Sequence, residues 1–210
     1  MEILYFKSLP STHLRAKELL LGGKKAPFAV VCDEQTNGIG SRSNVWSGLS
    51  GNLFVSFCLH RSSLPKDLKL ESASIYFAYI LKDLLSRSGS SVWLKWPNDF
   101  YLHNKKCGGV ITTLVGETLL CGIGLNLVDS PDGFGVLDVR SSRDDLLRDY
   151  FLSLEKSESW KLVFSNYEIE FYKNQNYFTN YKDKKYSLKE SILQDDGSVV
   201  VDGERLYSLR

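Results

Sequence analysis

The residues best equipped for chemistry cluster in Lys95-Trp96-Pro97-Asn98-Asp99, a stretch that continues through Lys106 to Gly108-Gly109. It brings ammonium groups, a carboxamide and a carboxylate close together in sequence. A lysine is a mobile point charge suited to a carboxylate or a phosphate. An aspartate beside it can orient that charge or share a cation. The apolar run Val92-Trp93-Leu94 leads in. Pro97, with no N–H and a fixed φ, is expected to end that strand and turn the chain. Loops leaving strand ends are where a rigid scaffold presents reactive groups. Residue types alone fit a charged surface turn over a buried tryptophan equally well.

Three further stretches could bind a ligand. Gly38-Ile39-Gly40-Ser41-Arg42-Ser43 begins like a dinucleotide fingerprint but lacks the third glycine and the helical pattern that should follow. Such a loop can still wrap backbone N–H groups around an anion, and a plain surface loop has the same composition. Gly108 and Gly109 surrender packing on entering a strand, which points to close approach by a ligand or another segment. A solvated hairpin lysine is the simpler reading of Lys106 above them. Gly122-Ile123-Gly124-Leu125-Asn126 is a second glycine-bearing strand, for which tight strand packing is by itself the better explanation. His13, His60 and His103 are scattered without an acid or thiol cluster, so a catalytic triad or a zinc site has no support.

The elements that must position these residues are read from periodicity. Residues 3–6 predict a strand, and Ser11-Thr12 cap a helix over 13–21 closed by Gly22-Gly23. The unbroken run Phe28-Ala29-Val30-Val31-Cys32 predicts a buried strand. Residues 36–44 are too polar and glycine-rich to be an ordered element by themselves. Residues 52–59 predict a strand with Leu53, Val55, Phe57 and Leu59 on one face, and 70–85 carry the densest helical pattern. Strands over 110–115 and 118–125 flank Gly116-Glu117 as a hairpin. Residues 128–142 predict a loop, and 143–156 and 158–174 predict helices. The tail from Tyr186 turns at Asp195-Asp196-Gly197 and at Asp202-Gly203, giving two or three short strands. Hairpins mixed with helices predict an α+β core, a mixed sheet flanked by helices, with a small C-terminal β appendage.

A chain of 210 residues with 43% hydrophobic and 24% charged side chains suits one globular domain plus that appendage. A formal net charge of +1, with basic residues in pairs at most, gives no nucleic-acid footprint, so no DNA partner is expected. Cys32, Cys58, Cys107 and Cys121 form no CxxC pair and read as buried free thiols of a reducing compartment. The start has too short an apolar run for a signal peptide and no stretch approaches a membrane span, so the expected location is cytoplasmic.

Taken in order, five stretches resemble the biotin protein ligases, enzymes that adenylate biotin and pass it to a lysine of a carrier domain. Ser8-Leu9-Pro10-Ser11-Thr12 is similar to the family's early serine–threonine motif. Glu34-Gln35-Thr36-Asn37-Gly38-Ile39-Gly40-Ser41-Arg42, followed by Trp46, is similar to its ligand loop. Lys95-Trp96-Pro97-Asn98-Asp99 matches the KWPND signature. Lys106-Cys107-Gly108-Gly109-Val110 and Gly122-Ile123-Gly124-Leu125-Asn126 match its glycine strands. The resemblance spans residues 11–126 and is architectural beyond them.

The resemblance implies a class II synthetase-like catalytic domain over residues 1–180 and an abbreviated SH3-like β domain over 181–210. It implies that Ser11, Thr12 and Gln35 hydrogen-bond the ureido ring of biotin, and that Ile39, Gly40 and Ser41 cover its carboxylate and the phosphate. Gly38, Gly108, Gly109 and Gly124 belong to the same biotin-binding set. Lys106 would stand between that carboxylate and the α-phosphate as the catalytic residue, where fixed positive charge lowers the barrier to forming a pentacoordinate phosphorus. Arg42, Trp46, Lys95, Asn98 and Asn126 would bind ATP and the adenylate, with Asp99 near Mg²⁺. The implied cofactors are ATP and Mg²⁺ with biotin as substrate. The implied partner is a biotin carboxyl carrier protein, such as an acetyl-CoA carboxylase subunit, met by a monomer or homodimer.

Two departures stand out. Ile39 and Ser41 occupy positions that are commonly arginine in the family, which predicts faster leakage of the acyl-adenylate than from an arginine-rich relative. His13 replaces the asparagine that often follows the Ser-Thr pair. Lipoate ligases and octanoyltransferases share the fold, and the latter use a cysteine near a lysine, so Cys107 beside Lys106 makes them an alternative. A non-catalytic biotin-binding module is a second. A repressor of the same family would carry an N-terminal DNA-binding domain, for which a catalytic strand beginning near Ile3 leaves no room.

Overall fold

This computed structural model describes residues 1–40, 45–182 and 184–208. β1 (Glu2–Leu9) leads into α1 (Thr12–Leu21), whose first turn is capped by the Ser11 hydroxyl accepting from the Leu14 N–H. β2 (Phe28–Ile39) and β3 (Val45–Gly48) pair as a two-stranded arm, and β4 (Leu53–His60) follows. A 3-10 turn at Leu70–Ser72 then opens α2 (Ala73–Arg87). β5 (Trp93–Lys95), β6 (Asp99–Leu102), β7 (Lys105–Val115) and β8 (Thr118–Leu125) run as successive antiparallel hairpins. After a loop come α3 (Arg143–Glu155) and α4 (Trp160–Glu170), the latter prolonged by a 3-10 turn at Phe171–Asn176. Short strands β9 (Phe178–Tyr181), β10 (Lys184–Ser187), β11 (Ile192–Leu193), β12 (Val199–Val201) and β13 (Glu204–Leu206) complete the fold.

The main sheet has the order β1-β2-β4-β8-β7-β6-β5, with β3 on β2. β1 and β2 are parallel and the other pairs antiparallel, so the sheet is mixed as predicted. Alternation along a strand sends neighbours to opposite faces, which explains why β2 has no polar gap at its start. Ala29 and Val31 enter the large core with α2, α3 and α4, while Phe28 and Val30 join Ala16 of α1 in a smaller cluster on the other face. Both faces are covered, so an unbroken apolar run is what the strand requires.

Registry then determines where that second face can stay open. Cα pairing aligns Val30, Ser56, Gly122 and Ile111 across β2, β4, β8 and β7, and aligns Phe54, Gly124 and Gly109 in the next row. Small residues in the middle strands leave a slot at the start of α1 where larger ones would have filled it.

The structure corrects the expectation for residues 36–44. Thr36 to Ile39 continue β2 and pair with β3, because Gly38 and Gly48 allow backbone to pass close to the facing strand. A Cβ on Gly38 would lie 2.6 Å from the Trp46 carbonyl oxygen. Residues 41–44 lie outside the described residues. β6 had no sequence signal of its own, being short and bounded by Asn98 and His103, and β7 begins at Lys105 rather than Val110.

The C-terminal strands form a two-stranded and a three-stranded sheet. They pack on the large core through Tyr181, Tyr186, Leu188, Val199, Val201 and Leu206. The turn at 195–197 is tied down at several points. The Trp160 indole N–H donates to the Asp195 carbonyl (2.8 Å), the Ser72 hydroxyl to Asp196 (2.6 Å) and the Trp96 indole N–H to Gly197 (2.8 Å). Among the described residues no helix is long and apolar enough to cross a membrane.

Candidate active site

The slot on the α1 face is a cleft open to solvent at one end, enclosing about 440 Å³ when the open solvent within it is counted. Its buried end is made by the start of α1. The Thr12 N–H and hydroxyl both reach Gln35 Oε1 (2.8 and 3.1 Å), and the same hydroxyl lies 2.9 Å from Ser56 Oγ. Ser11, Thr12 and Ser56 are nearly inaccessible. His13 sits beside them with Nε2 3.1 Å from the Thr113 hydroxyl. Burial, with Lys17 nearby, lowers its pKa to about 4, so the ring is neutral at ordinary pH.

The open end carries the charge. Lys106 Nζ is 2.6 Å from Asp99 Oδ1, and Lys95 Nζ is 3.6 Å from Asp99 Oδ2. Lys106 also lies over the Trp46 ring, 5.7 Å from its centroid, where the negative ring face attracts a cation. Trp46 in turn lies flat enough on β8 that a Cβ on Gly124 would come within 2.7 Å of the indole. Phe134 meets Trp46 edge-on at 6.5 Å.

The turn that delivers Asp99 is held from behind. Pro97 ends β5 as expected, and the chain turns before β6. The Trp96 N–H donates to Asn174 Oδ1 (2.7 Å), whose amide donates to the Phe171 carbonyl (3.0 Å). With Trp96 fully buried and bound to Gly197, the conspicuous Trp-Pro pair is scaffold, and Asn98 and Asp99 just after it face the cleft. Asn98 donates its amide to the Val110 carbonyl and lines the cleft.

Of the residues singled out in the sequence, Ser11, Thr12, Gln35, Ile39, Gly40, Trp46, Asn98, Asp99, Lys106, Gly109 and Gly124 line the cleft together. Gly38, Lys95, Gly108 and Asn126 do not. Gly108 is a glycine because a Cβ would meet Leu125 at 2.7 Å and the Gly124 carbonyl at 2.8 Å. A Cβ on Gly109 would make only ordinary contacts from 3.4 Å outward, so packing does not demand that glycine. Asn126 is buried, donates to the Gly135 carbonyl (3.0 Å) and has no partner for Oδ1 among the described residues. Ser41 and Arg42 lie outside the described residues. Sequence reasoning passed over Ser56 and Ile111, and it named Gly122 within its motif without counting it among the binding residues. A hydroxyl inside the otherwise apolar strand Leu53–His60 was the signal for Ser56.

A cysteine nucleophile does not fit this geometry. Cys107 is fully buried in the large core, and burial pushes its thiol up to about 12, far from a reactive thiolate. The arrangement can instead grip a neutral polar head at one end and neutralise anions at the other.

Residues 5–127, more than half of the chain, match the Biotin/lipoate A/B protein ligase family. The chain belongs to this family. Among solved structures of such ligases, it is similar to a biotin acetyl coenzyme A carboxylase synthetase from Helicobacter pylori with bound biotinylated ATP. The two share 35% identity over 98% of this chain and 99% of that one, with a TM-score of 0.94. A biotin protein ligase from Aquifex aeolicus in complex with biotin and ATP shares the fold at 22% identity, covering 100% of this chain and 96% of that one with a TM-score of 0.79. The bifunctional ligase/repressor BirA of Bacillus subtilis is 27% identical over 165 residues, which is 76% of this chain and 48% of that protein. The chain thus spans about half the length of the curated relatives it matches first.

Proposed function

We propose that the chain is an ATP-dependent biotin protein ligase, which forms biotinyl-5'-AMP and then transfers biotin to a lysine of a biotin carboxyl carrier protein. One observation carries the reading: a single cleft joins the neutral hydrogen-bonding set Ser11, Thr12 and Gln35 to the Lys106–Asp99 ion pair. Biotin offers a neutral ureido head and an anionic tail in that order.

In this reading Ser11, Thr12 and Gln35 hold the ureido ring, Ile39, Gly40, Gly109 and Gly124 line the walls around the ligand, Gly38 and Gly108 permit the close strand approaches behind them, and Ser41 belongs to the same biotin-binding set. The carboxylate extends to Lys106. Adenylation drives that carboxylate onto the α-phosphorus of ATP and expels pyrophosphate. Lys106 offsets the charge gathering between them, an electrostatic role that grows as the bond forms. Trp46, Asn98 and Arg42 meet the nucleotide, and the unpartnered Asn126 Oδ1 is available to it as an acceptor. Lys95 acts through Asp99.

Magnesium enters as the ATP complex. Both Asp99 oxygens face ammonium groups, and no group of three or more acidic, histidine or cysteine side chains among the described residues could hold an ion. Asp99 orients the two lysines and stands near the Mg²⁺ that ATP brings, since an ATP-bound ion needs only one or two protein carboxylates. In the second step the carrier amine must lose a proton before attacking the mixed anhydride, since its ordinary pKa is near 10.4. We keep residues 1–180 as the catalytic part and 181–210 as an SH3-like cap that braces the KWPND turn, a functional division only, since it cuts through β9 and both parts share one core.

Incubation with ATP–Mg²⁺, a carrier domain and, separately, biotin, lipoate or octanoate tests the proposal by carrier mass. A gain of the biotinyl mass alone is expected. A lipoyl or octanoyl gain would move the chain to the other branch of its family.

A further inference from the structure

The buried end of the cleft contains a polar atom that the fold itself leaves unused. His13 is 8% exposed and lines the cleft with Thr12, Ser56, Ile111 and Gly122. Its Nε2 is engaged by the Thr113 hydroxyl, from the same face of β7, at 3.1 Å. Its Nδ1 is buried and has no hydrogen-bond partner among the described residues. The atom stands over β8, 2.9 Å from where a Cβ on Gly122 would be, so only glycine leaves it this position. A buried nitrogen without a protein partner carries an appreciable desolvation cost, and this one borders the cleft, where a bound ligand could pair with it.

Resting on the biotin reading of the cleft, we propose that His13 Nδ1 is a specificity contact of this chain, accepting a hydrogen bond from one of the two ureido N–H groups of biotin. The proposal requires the tautomer with its proton on Nε2, one of the two that the Thr113 contact allows, since a hydroxyl both donates and accepts. With Nε2–H donating to Thr113, Nδ1 presents a lone pair, and a neutral ring keeps it available across the ordinary pH range. Thr12, Ser56 and Gln35 already bond to one another. A further acceptor beside them distinguishes a cyclic urea from an acyl chain of similar size, because octanoate and lipoate have no N–H to offer. Discrimination of this kind is strong, since the wrong acid leaves Nδ1 unpaired.

The test uses the full chain labelled with ¹⁵N-histidine, with the His13 signal assigned through His13→Asn. On adding biotin the unprotonated Nδ1 resonance is expected to move upfield, as an acceptor nitrogen does, while octanoate leaves it in place. Calorimetry with biotin methylated on one or the other ureido nitrogen gives a second arm. One isomer is expected to bind the wild type roughly tenfold more weakly than biotin, a hydrogen-bond-sized loss, and to lose little or nothing relative to biotin in His13→Phe. Binding of biotin with Nδ1 unmoved, or an equal penalty for that isomer in both proteins, would overturn the inference alone. No biotin binding by the wild type would overturn the reading of the cleft together with it.

Discussion

At the buried end of the cleft, Thr12 bonds to Gln35 and Ser56 through neutral groups already at hydrogen-bond distance. At the open end, Lys95, Asp99 and Lys106 compensate one another across partly exposed ion pairs. The first region is built for its ligand in advance and exchanges little on binding. The second is held by contacts that anionic substrates must displace, and partly exposed pairs are weak enough for that. The contrast separates recognition from chemistry: binding of the acid should survive damage to the open end, and turnover should not.

Substitutions should divide along that line. Lys106→Ala is expected to lower adenylation by about 10²–10³-fold, the scale of losing one well-placed electrostatic donor, while calorimetry shows biotin affinity changed several-fold at most. Equal losses in both would erase the distinction.

Acid should damage the buried end first. His13 binds its proton near pH 4 in the fold and near 6.5 when unfolded, so the unfolded chain holds more protons between those values. Stability therefore falls as pH drops from about 6.5 towards 4, by on the order of 3 kcal/mol at the low end. Urea titrations across that window should show the slope in wild type and its loss in His13→Asn. An identical slope in both would remove His13 as its source.

Two alanines sharpen the comparison further. Gly122→Ala places a methyl against His13 Nδ1, and Gly124→Ala places one against the Trp46 indole. Overpacking typically costs 1–3 kcal/mol, so the first should weaken biotin binding by about 5–150-fold and spare ATP, measured by separate titrations. The second should raise KM for ATP more than for biotin. Thr12→Val, which removes a hydroxyl shared by Gln35 and Ser56, is expected to have the smallest effect, about a tenfold rise in KM for biotin.

Much of this was legible in the sequence because it rests on local patterns. The buried β2, the capped α1, the hairpin at Gly116 and the lysines flanking Asp99 each announce themselves within a few residues. The floor of the cleft did not, because it is a property of register. Ser56, Gly122 and Ile111 become neighbours only when β4, β8 and β7 pair as they do. The arm of β2 and β3 was hidden for the related reason that its glycines matter for the strand opposite. Trp96 drew attention by its type, yet its partners Asn174 and Gly197 are distant in sequence and show it to be scaffold. Lys95 and Asn126 were picked by motif and are not among the residues that line the cleft, a distinction that motif spacing does not encode.

The central claim is that one cleft activates biotin through Lys106 before any carrier is involved. Exchange of labelled pyrophosphate into ATP, with Mg²⁺ present and no carrier, measures that step alone. The account predicts exchange that depends on biotin in the wild type and falls to background in Lys106→Ala. Exchange in the absence of biotin, or undiminished exchange in Lys106→Ala, would contradict it.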